Sequence, residues 1–179
     1  MMDIQITRAM AGFDHPMEIL AACHERIESR CDTLRRLADY VPRHGSDAEA
    51  QQAASNVMRY FDSAGRHHRE DEERNLLPAM LRAARGEMAA AVALLAAQLA
   101  REHDEIEQAW LGLREALERI AHGGDAPLDA REVTRFCELY RAHMAVEEAH
   151  LFPLADTLLD EKALSGLGTA MAQRRGVKI

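Results

Sequence analysis

Apolar side chains recur every three or four positions along most of this chain, which is the spacing that lines one face of an α-helix. The first row of this kind reads Met17, Leu20, His24, Ile27, Cys31, Leu34 and Ala38. Pro16 opens the stretch, and a proline suits the first turn of a helix. We predict that this first helix ends near Tyr40, because Pro42 and Gly45 follow it.

A second row predicts a second helix, from just after Asp47 to about residue 82. Its inward positions are Val57, Phe61, Ala64, His68, Glu72, Asn75 or Leu76, and Ala79. Pro78 lies well inside this pattern, and an internal proline removes a backbone hydrogen bond and clashes with the preceding turn. We therefore expect a kink or an early break of the helix at Pro78.

Two more rows predict a third and a fourth helix. The third begins after Gly86 and ends before the turn at Gly123 and Gly124. Its row is Met88, Val92, Leu95, Leu99, His103, Ile106, Trp110, Leu113, Leu117 and Ile120. The fourth begins near Asp129 and runs to about residue 158. Its row is Val133, Phe136, Tyr140, His143, Glu147, His150 or Leu151, Leu154 and Leu158.

Four long amphipathic helices joined by short loops favour an all-α fold, an antiparallel up-and-down four-helix bundle. Residues 1–14 are expected to form a short N-terminal arm, and a short C-terminal helix is expected over about 160–173. We predict that residues 1–179 are one domain, with the bundle core over about 14–158, because no linker or low-complexity segment divides the chain.

Composition narrows the classes of function. Aromatic residues make up 4% of the chain and its formal net charge is −8, a balance that favours helices and disfavours nucleic-acid binding. The N-terminus lacks the pattern of a secretory signal, and the apolar run over 88–100 is too short to cross a bilayer. Cys23, Cys31 and Cys137 lack metal-type spacing, and we interpret them as reduced core thiols. These features predict a cytoplasmic protein without a membrane partner.

One motif, H-x3-E-E-x2-L-[LF]-P, occurs twice. The first copy begins at His68 and contains Glu72 and Glu73. The second begins 75 positions later at His143 and contains Glu147 and Glu148. Residues four apart on a helix are neighbours on one face, so each copy presents an imidazole beside a carboxylate. Such a pair is costly to bury without a partner, and a cation is the obvious one.

Each predicted helix carries one inward histidine, and all four fall at compatible depths in the bundle. A layer of four imidazoles with two carboxylates matches a site for two first-row metal ions. Iron or manganese suits nitrogen and oxygen ligands of this kind, whereas the lack of thiolate makes structural zinc a poorer fit. The predicted metal ligands are His24, His68, Glu72, His103, His143 and Glu147.

The sequence leaves the roles of neighbouring residues open. Glu28 and Glu107 also stand four residues after an inward histidine. Their side chains could equally well face solvent or orient a ligand. Glu73 and Glu148 are interpreted as orienting the ligands or facing solvent. His150 is open as a further ligand, as a ligand-orienting side chain, or as neither. The remaining histidines are interpreted as non-ligands: His15, His44, His67 and His122.

The pattern His24 … His68-x3-Glu72 … His103 … His143-x3-Glu147 resembles the hemerythrin-like HHE cation-binding domain over roughly residues 14–158. The resemblance implies a four-helix bundle that holds a non-haem di-iron centre with a bridging oxo or hydroxo oxygen. It also implies that the four histidines are terminal iron ligands, and that Glu72 and Glu147 bridge or flank the two irons.

The chain departs from the oxygen-carrying hemerythrins at two positions. Glu107 stands where those proteins have a second histidine on the third helix, and Glu148 stands where they have an aspartate on the fourth. Fewer nitrogen and more oxygen ligands favour ferric iron and oxidising chemistry over reversible carriage of oxygen.

The function predicted first is binding of oxygen or a related small oxidant, a diatomic or peroxide ligand, for sensing, storage or detoxification. A second hypothesis is an enzyme that acts on peroxide or nitric oxide, or an iron donor for iron–sulfur cluster repair. Iron donors of this type carry an N-terminal cysteine segment, and residues 1–14 contain no cysteine. A bundle that metal merely stabilises is a third hypothesis. No catalytic residue is assigned, and enzymatic turnover and a homodimer both stay open.

Overall fold

The computed structural model describes residues 12–178, and within them the chain is helical with no β-strand. The five helices are α1 (Pro16–His44), α2 (48–83), α3 (Glu87–Ala121), α4 (130–158) and α5 (Glu161–Arg174). The first four are long and joined by short loops, and α5 is the short C-terminal helix that the sequence predicts. Of the predicted N-terminal arm, residues 1–11 lie outside the described part. The all-α bundle is thereby confirmed.

Aspartates fix the starts of three helices. The side chains of Asp47, Asp129 and Asp160 accept hydrogen bonds from the backbone amides of Ala50, Arg131 and Ala163. A helix leaves its first amides without intrahelical partners, so each such bond stabilises a start by about 1 kcal/mol. These caps place α2 and α4 where the sequence predicts them.

Two apolar clusters fill the bundle, one on either side of a buried polar layer. The cluster toward the α1–α2 loop includes Ile27, Leu34, Phe61, Trp110, Leu117 and Phe136. The cluster toward the α2–α3 loop includes Leu20, Leu76, Met80, Leu99, Leu151 and Met171. The inward histidines and glutamates lie between the two clusters. Hydrophobic packing therefore encloses this polar layer above and below.

Two expectations at helix ends are wrong. Helix α1 does not end near Tyr40; it continues through Pro42 to His44 and stops at Gly45, where φ is 72°. A proline near a C-terminus removes only one backbone hydrogen bond, which the last turn tolerates. Met88, predicted to face inward, is 40% exposed because the first turn of α3 extends past the core.

Helix α2 does not break at Pro78. It contains two π-helical turns, Phe61–Gly65 and Glu72–Leu76, and α4 contains a third, Glu147–Leu151. Pro78 and Pro153 each follow a π turn closely, where the widened backbone accommodates the missing amide. The same glutamate-containing turn therefore precedes a proline in both copies of the repeated motif.

The π turns also change which residues face inward. Each inserts an extra residue into the helical register, so the buried positions move one place along the chain. Gly65 is buried instead of Ala64, and Met80 instead of Ala79. Leu76 and Leu151 are the buried members of the two ambiguous pairs.

The C-terminal helix α5 packs against α1 and α2. Arg174 and Arg175 both form ion pairs with Asp71, whose side chain is fully buried in α2. Gly168 allows residue 13 to approach closely, because a Cβ there would collide with the carbonyl oxygen of Phe13. None of the described helices is both long enough and apolar enough to cross a membrane.

Candidate metal centre

Six polar side chains from the four long helices meet in the layer between the two apolar clusters. Each is at most 4% exposed to solvent: His24, His68, Glu72, His103, His143 and Glu147. These are the six residues that the sequence analysis predicts as ligands, and the structure brings all of them together. Side chains of this polarity are rarely buried unless they are paired or bind a metal.

The two glutamates lie at the centre of the group. Glu72 places Oε1 at 3.2 Å from His68 Nε2 and Oε2 at 3.3 Å from His103 Nε2. Glu147 places Oε2 at 3.0 Å from His24 Nε2 and Oε1 at 2.9 Å from His143 Nε2. Each carboxylate thus offers one oxygen to one pair of histidines and its second oxygen to the other pair.

The six side chains form two overlapping groups, each able to hold a metal ion. In each group the ligand atoms lie within 4.8 Å of one another. The first group is His24, His68, Glu72 and Glu147, and the second is Glu72, His103, His143 and Glu147. We call the pair His24 and His68 the first half of the site and the pair His103 and His143 the second half. Both halves share Glu72 and Glu147.

The inner atoms of the site have no hydrogen-bond partner among the residues that the structure describes. This holds for the Nε2 atoms of all four histidines and for both carboxylate oxygens of Glu72 and Glu147. An unsatisfied buried polar group costs about 1–3 kcal/mol, and native proteins contain few of them. Eight such atoms that face one another fit two bound cations well.

The charges within the layer also fit bound cations. Burial raises the pKa of Glu72, and neighbouring Glu147 raises it further. Burial lowers the pKa of His68 to about 3. Burial opposes the charged form of Glu147 as well, but the rings of His143 and His24 outweigh it and hold the pKa of that carboxyl well below its usual range. Bound cations would replace protons in such a site.

Three histidines are oriented by carboxylates on their outer side. His24 Nδ1 lies 2.8 Å from Glu148, His103 Nδ1 lies 2.9 Å from Glu73, and His143 Nδ1 lies 2.8 Å from Glu102. We call Glu73, Glu102 and Glu148 the outer carboxylates. A carboxylate that accepts a hydrogen bond from Nδ1–H leaves the lone pair of Nε2 free and directed into the site, which is the arrangement that a metal ligand needs.

The fourth histidine is different. His68 Nδ1 is buried and has no hydrogen-bond partner within residues 12–178. Its ring contacts the ring of His24 edge-on, with 5.2 Å between the ring centroids. The first half of the site therefore contains one histidine oriented by an outer carboxylate and one without such a partner among the described residues.

One of these contacts was not predicted from the sequence, and the roles of two of the glutamates were left open. Glu73 and Glu148 contact the rings of predicted ligands, and orienting the ligands was one of the two roles predicted for them. Glu102 was not considered, because it precedes His103 by one position and falls outside the inward row of α3. Its side chain nevertheless reaches across to α4. A glutamate directly before an inward histidine is the signal that would have identified it.

The other candidates lie away from the inner layer. Glu28 forms an ion pair with Arg141 at 2.9 Å, and Glu107 forms one with Arg69 at 2.6 Å. His150 is exposed, because the π turn Glu147–Leu151 rotates it out of the stripe that contains His143. His67 is half-buried, and the other histidines interpreted as non-ligands are exposed: His15, His44 and His122.

A cavity of about 610 Å³ adjoins the layer between α2 and α3. Its inner end is formed by His68, His103 and His143, and Tyr140 contributes a hydroxyl-bearing ring to the wall. A molecule that enters this cavity can therefore approach the second half of the site and one histidine of the first half.

The profile of one protein family, the hemerythrin HHE cation binding domain, matches residues 15–155. That span covers most of the chain and all six side chains of the inner layer. The chain belongs to this hemerythrin HHE family. It is also 28% identical over 177 residues to an uncharacterized protein of Haemophilus influenzae strain Rd, covering 99% of each chain.

Family membership and the geometry agree at the level of metal binding. The family is described as a cation-binding domain. This bundle buries two overlapping groups of histidine and glutamate side chains, each of which could hold a metal ion. The resemblance noted from the sequence is thereby confirmed as membership in the family, and the protein is a metal-binding helical bundle.

Proposed function

We propose that this HHE protein holds two iron ions and binds oxygen or a related small oxidant there, for sensing, storage or detoxification. The observation that supports the proposal is the set of eight inner atoms without hydrogen-bond partners, four imidazole nitrogens and four carboxylate oxygens. His24 and His68 would hold one ion and His103 and His143 the other, and Glu72 and Glu147 would each offer an oxygen to both groups.

The donor set supports iron. Each group offers two nitrogen and two oxygen atoms and no thiolate, a combination that suits iron or manganese. Iron commonly takes more than four ligands, so bound iron would supply redox chemistry with open positions for a small molecule. The cysteines fit a reducing, cytoplasmic environment, because all three are buried and free.

A second candidate function, turnover of peroxide, is favoured by the oxygen-rich donor set. Glu107, which replaces a family histidine, is 56% exposed in its side chain and pairs with Arg69. Each ion would therefore have only two histidine ligands. The chain's own contribution to such chemistry is to orient three of the four rings and to exclude bulk water with the two apolar clusters.

The ligand assignment is tested by metal content after iron loading. We expect His68→Ala and His143→Ala each to lose at least half of the iron, and His67→Ala to retain it. His67 is the matched control because it is the sequence neighbour of His68 but is not part of the inner layer. Equal iron content in all three variants would contradict the assignment.

The ligand chemistry is tested by optical spectra of the iron-loaded protein, recorded anaerobically and after oxygen or peroxide is added. A near-ultraviolet charge-transfer absorption that is lost on reduction is expected. A spectrum that responds to neither addition, together with a lower melting temperature after metal removal, supports a metal that only stabilises the bundle. Repeated consumption of peroxide without loss of iron supports the enzyme.

A further inference from the structure

The cavity beside the metal centre is larger than a small oxidant requires. It measures about 610 Å³, whereas one water molecule occupies about 30 Å³ in the liquid, and a diatomic molecule is of similar size. Pockets for small organic ligands span about 300–1,000 Å³. The volume therefore matches an organic molecule.

The inner wall of the cavity is apolar and aromatic. Phe61, Ile106 and Trp110 line it, and all three are at most 8% exposed. Gly65 keeps this wall open, because a Cβ there would lie 3.2 Å from the Phe61 ring and 3.7 Å from the Tyr140 hydroxyl. Such a wall favours the apolar body of a ligand.

The charged residues around the cavity are mostly neutralised by one another. Asp62 pairs with Arg114, and Glu73 and Glu107 pair with Arg69. Glu70 and Arg74 pair as well. Arg66 is different: it is exposed, lines the cavity, and has no ion pair with any residue of the described chain.

A guanidinium without a carboxylate partner beside an apolar wall is suited to an anionic ligand. The chain as a whole is acidic, with a formal net charge of −8, so attraction of an anion must come from a local group of this kind. The cavity thus combines a place for an apolar body with one cation available at its side.

We propose that this cavity binds a small organic monoanion, a carboxylate with an apolar body, that packs against Phe61, Ile106 and Trp110 and pairs with Arg66. A ligand seated there lies directly against the histidine layer, since His68, His103 and His143 form the inner end. The inference goes beyond the proposed function and shares with it only these three histidines.

Trp110 is the single tryptophan of the chain and lies in the cavity wall, so its fluorescence reports occupancy directly. The probe is decanoate, with 1-decanol and decyltrimethylammonium as its neutral and cationic counterparts. We expect a saturable change with decanoate at one molecule per chain, weaker binding of decanol, and no saturation with the cation. The titrations use metal-free and zinc-loaded protein, so that the result does not depend on whether iron binds.

Two variants test the two parts of the site. Arg66→Ala is expected to weaken decanoate binding about tenfold and to leave decanol binding unchanged, with Arg82→Ala on the same helix as the control. Ile106→Phe is expected to abolish binding of both by filling the cavity. Its control is Leu94→Phe, which is on the same helix at a side chain 74% exposed.

Decanoate that fails to saturate, or that binds Arg66→Ala as tightly as the unaltered protein, would overturn the proposal. Saturation by decyltrimethylammonium would also overturn it. Because Arg66 is on the surface, its variant keeps the test decisive even if Ile106→Phe does not fold. Loss of iron binding without loss of decanoate binding would reject only the proposed function.

Discussion

The two halves of the metal centre are alike in their inner atoms and different in what supports them. The α1–α2 hairpin supplies His24, His68 and the shared Glu72. The α3–α4 hairpin supplies the same chemistry, with Glu147 as its shared carboxylate. Each half thus has two imidazoles and one oxygen from each glutamate, and the repeated motif produces this likeness.

The outer contacts break the symmetry. In the second half both histidines donate to outer carboxylates, Glu73 and Glu102, whose side chains are about 30% exposed. In the first half only His24 has such a partner, and that partner, Glu148, is 60% exposed in its side chain. Arg69 further holds Glu73 in place at 2.9 Å.

The cause of the difference is visible in the sequence. Glu102 stands one position before His103, and the equivalent position before His24 is Cys23. Glu73 and Glu148 occupy equivalent positions of the repeated motif, and each contacts one histidine. Glu102, the partner of His143, has no equivalent carboxylate beside His68 among the described residues. The inner histidine and glutamate side chains therefore repeat while their outer contacts do not, and we expect the second half to bind its ion more tightly.

The largest effect is expected from removing a shared carboxylate. Glu147→Gln removes charge from both halves, so the iron content should fall from about two ions per chain to less than one. Elemental analysis after iron loading measures this, with Glu28→Gln as the control, because Glu28 pairs with Arg141 away from the inner layer. A variant that retains both ions would show that Glu147 is not shared.

The next effect is a pH dependence of stability that metal reverses. Without metal the pKa of His24 and His143 is raised: burial alone would lower it, but Glu147 and an outer carboxylate lie beside each ring. Burial also raises the pKa of Glu72. Groups with raised pKa stabilise the fold below their unfolded pKa, and this contribution is lost as the pH rises through the folded value.

His68 acts in the opposite direction, because its lowered pKa adds stability as the pH rises toward its ordinary value of 6.5. We therefore expect the melting temperature of the metal-free protein to fall by about 5 °C between about pH 7 and pH 9. Zinc-loaded protein should keep or raise its melting temperature, because metal binding releases protons and is favoured at higher pH. Scanning calorimetry on both forms measures the contrast. A metal-free protein that becomes more stable over this range would contradict the charge balance given for the layer.

A smaller effect is expected from Glu102→Gln, which removes the support of His143 and makes the second half resemble the first. The metal affinity of the second half should fall about 10-fold to 100-fold. The two metal-binding steps, which we expect to differ in affinity in the unaltered protein, should then have similar affinities. Stepwise titration with cobalt, followed by its absorption, measures the steps. Glu115→Gln, exposed on the same helix, is the control. Unchanged steps would count against a role for Glu102.

The smallest effect is expected from Glu148→Gln. This carboxylate is largely exposed, so its bond to His24 competes with water and should contribute less than the bond from Glu102. The affinity of the first half should fall less than about 10-fold in the same titration. A loss larger than that of Glu102→Gln would reverse the ranking of the two halves.

Periodicity and the repeated motif were enough to predict the bundle, the four inward histidines and both shared glutamates. These features follow from local rules, because a residue four places on along a helix returns to the same face whatever surrounds it. Helix starts at Asp47 and Asp129 were likewise local, since the capping side chain bonds to its own helix.

Where the prediction failed or left a role open, contacts between helices or breaks in regular geometry decided the outcome. Because of the π turns, Gly65 is buried in place of Ala64, and His150 points to solvent instead of into the inner layer. Glu107 pairs with Arg69 instead of the histidine four residues before it, and Glu102 reaches a histidine on another helix.

The sequence by itself therefore determined the helices and the inward histidine and glutamate side chains, since each depends on residues within one or two turns. Only the tertiary structure decided which glutamates support which rings, that His68 has no outer partner among the described residues, and that a cavity adjoins the layer. Such properties depend on how side chains from separate helices meet, and no spacing along a single helix specifies that.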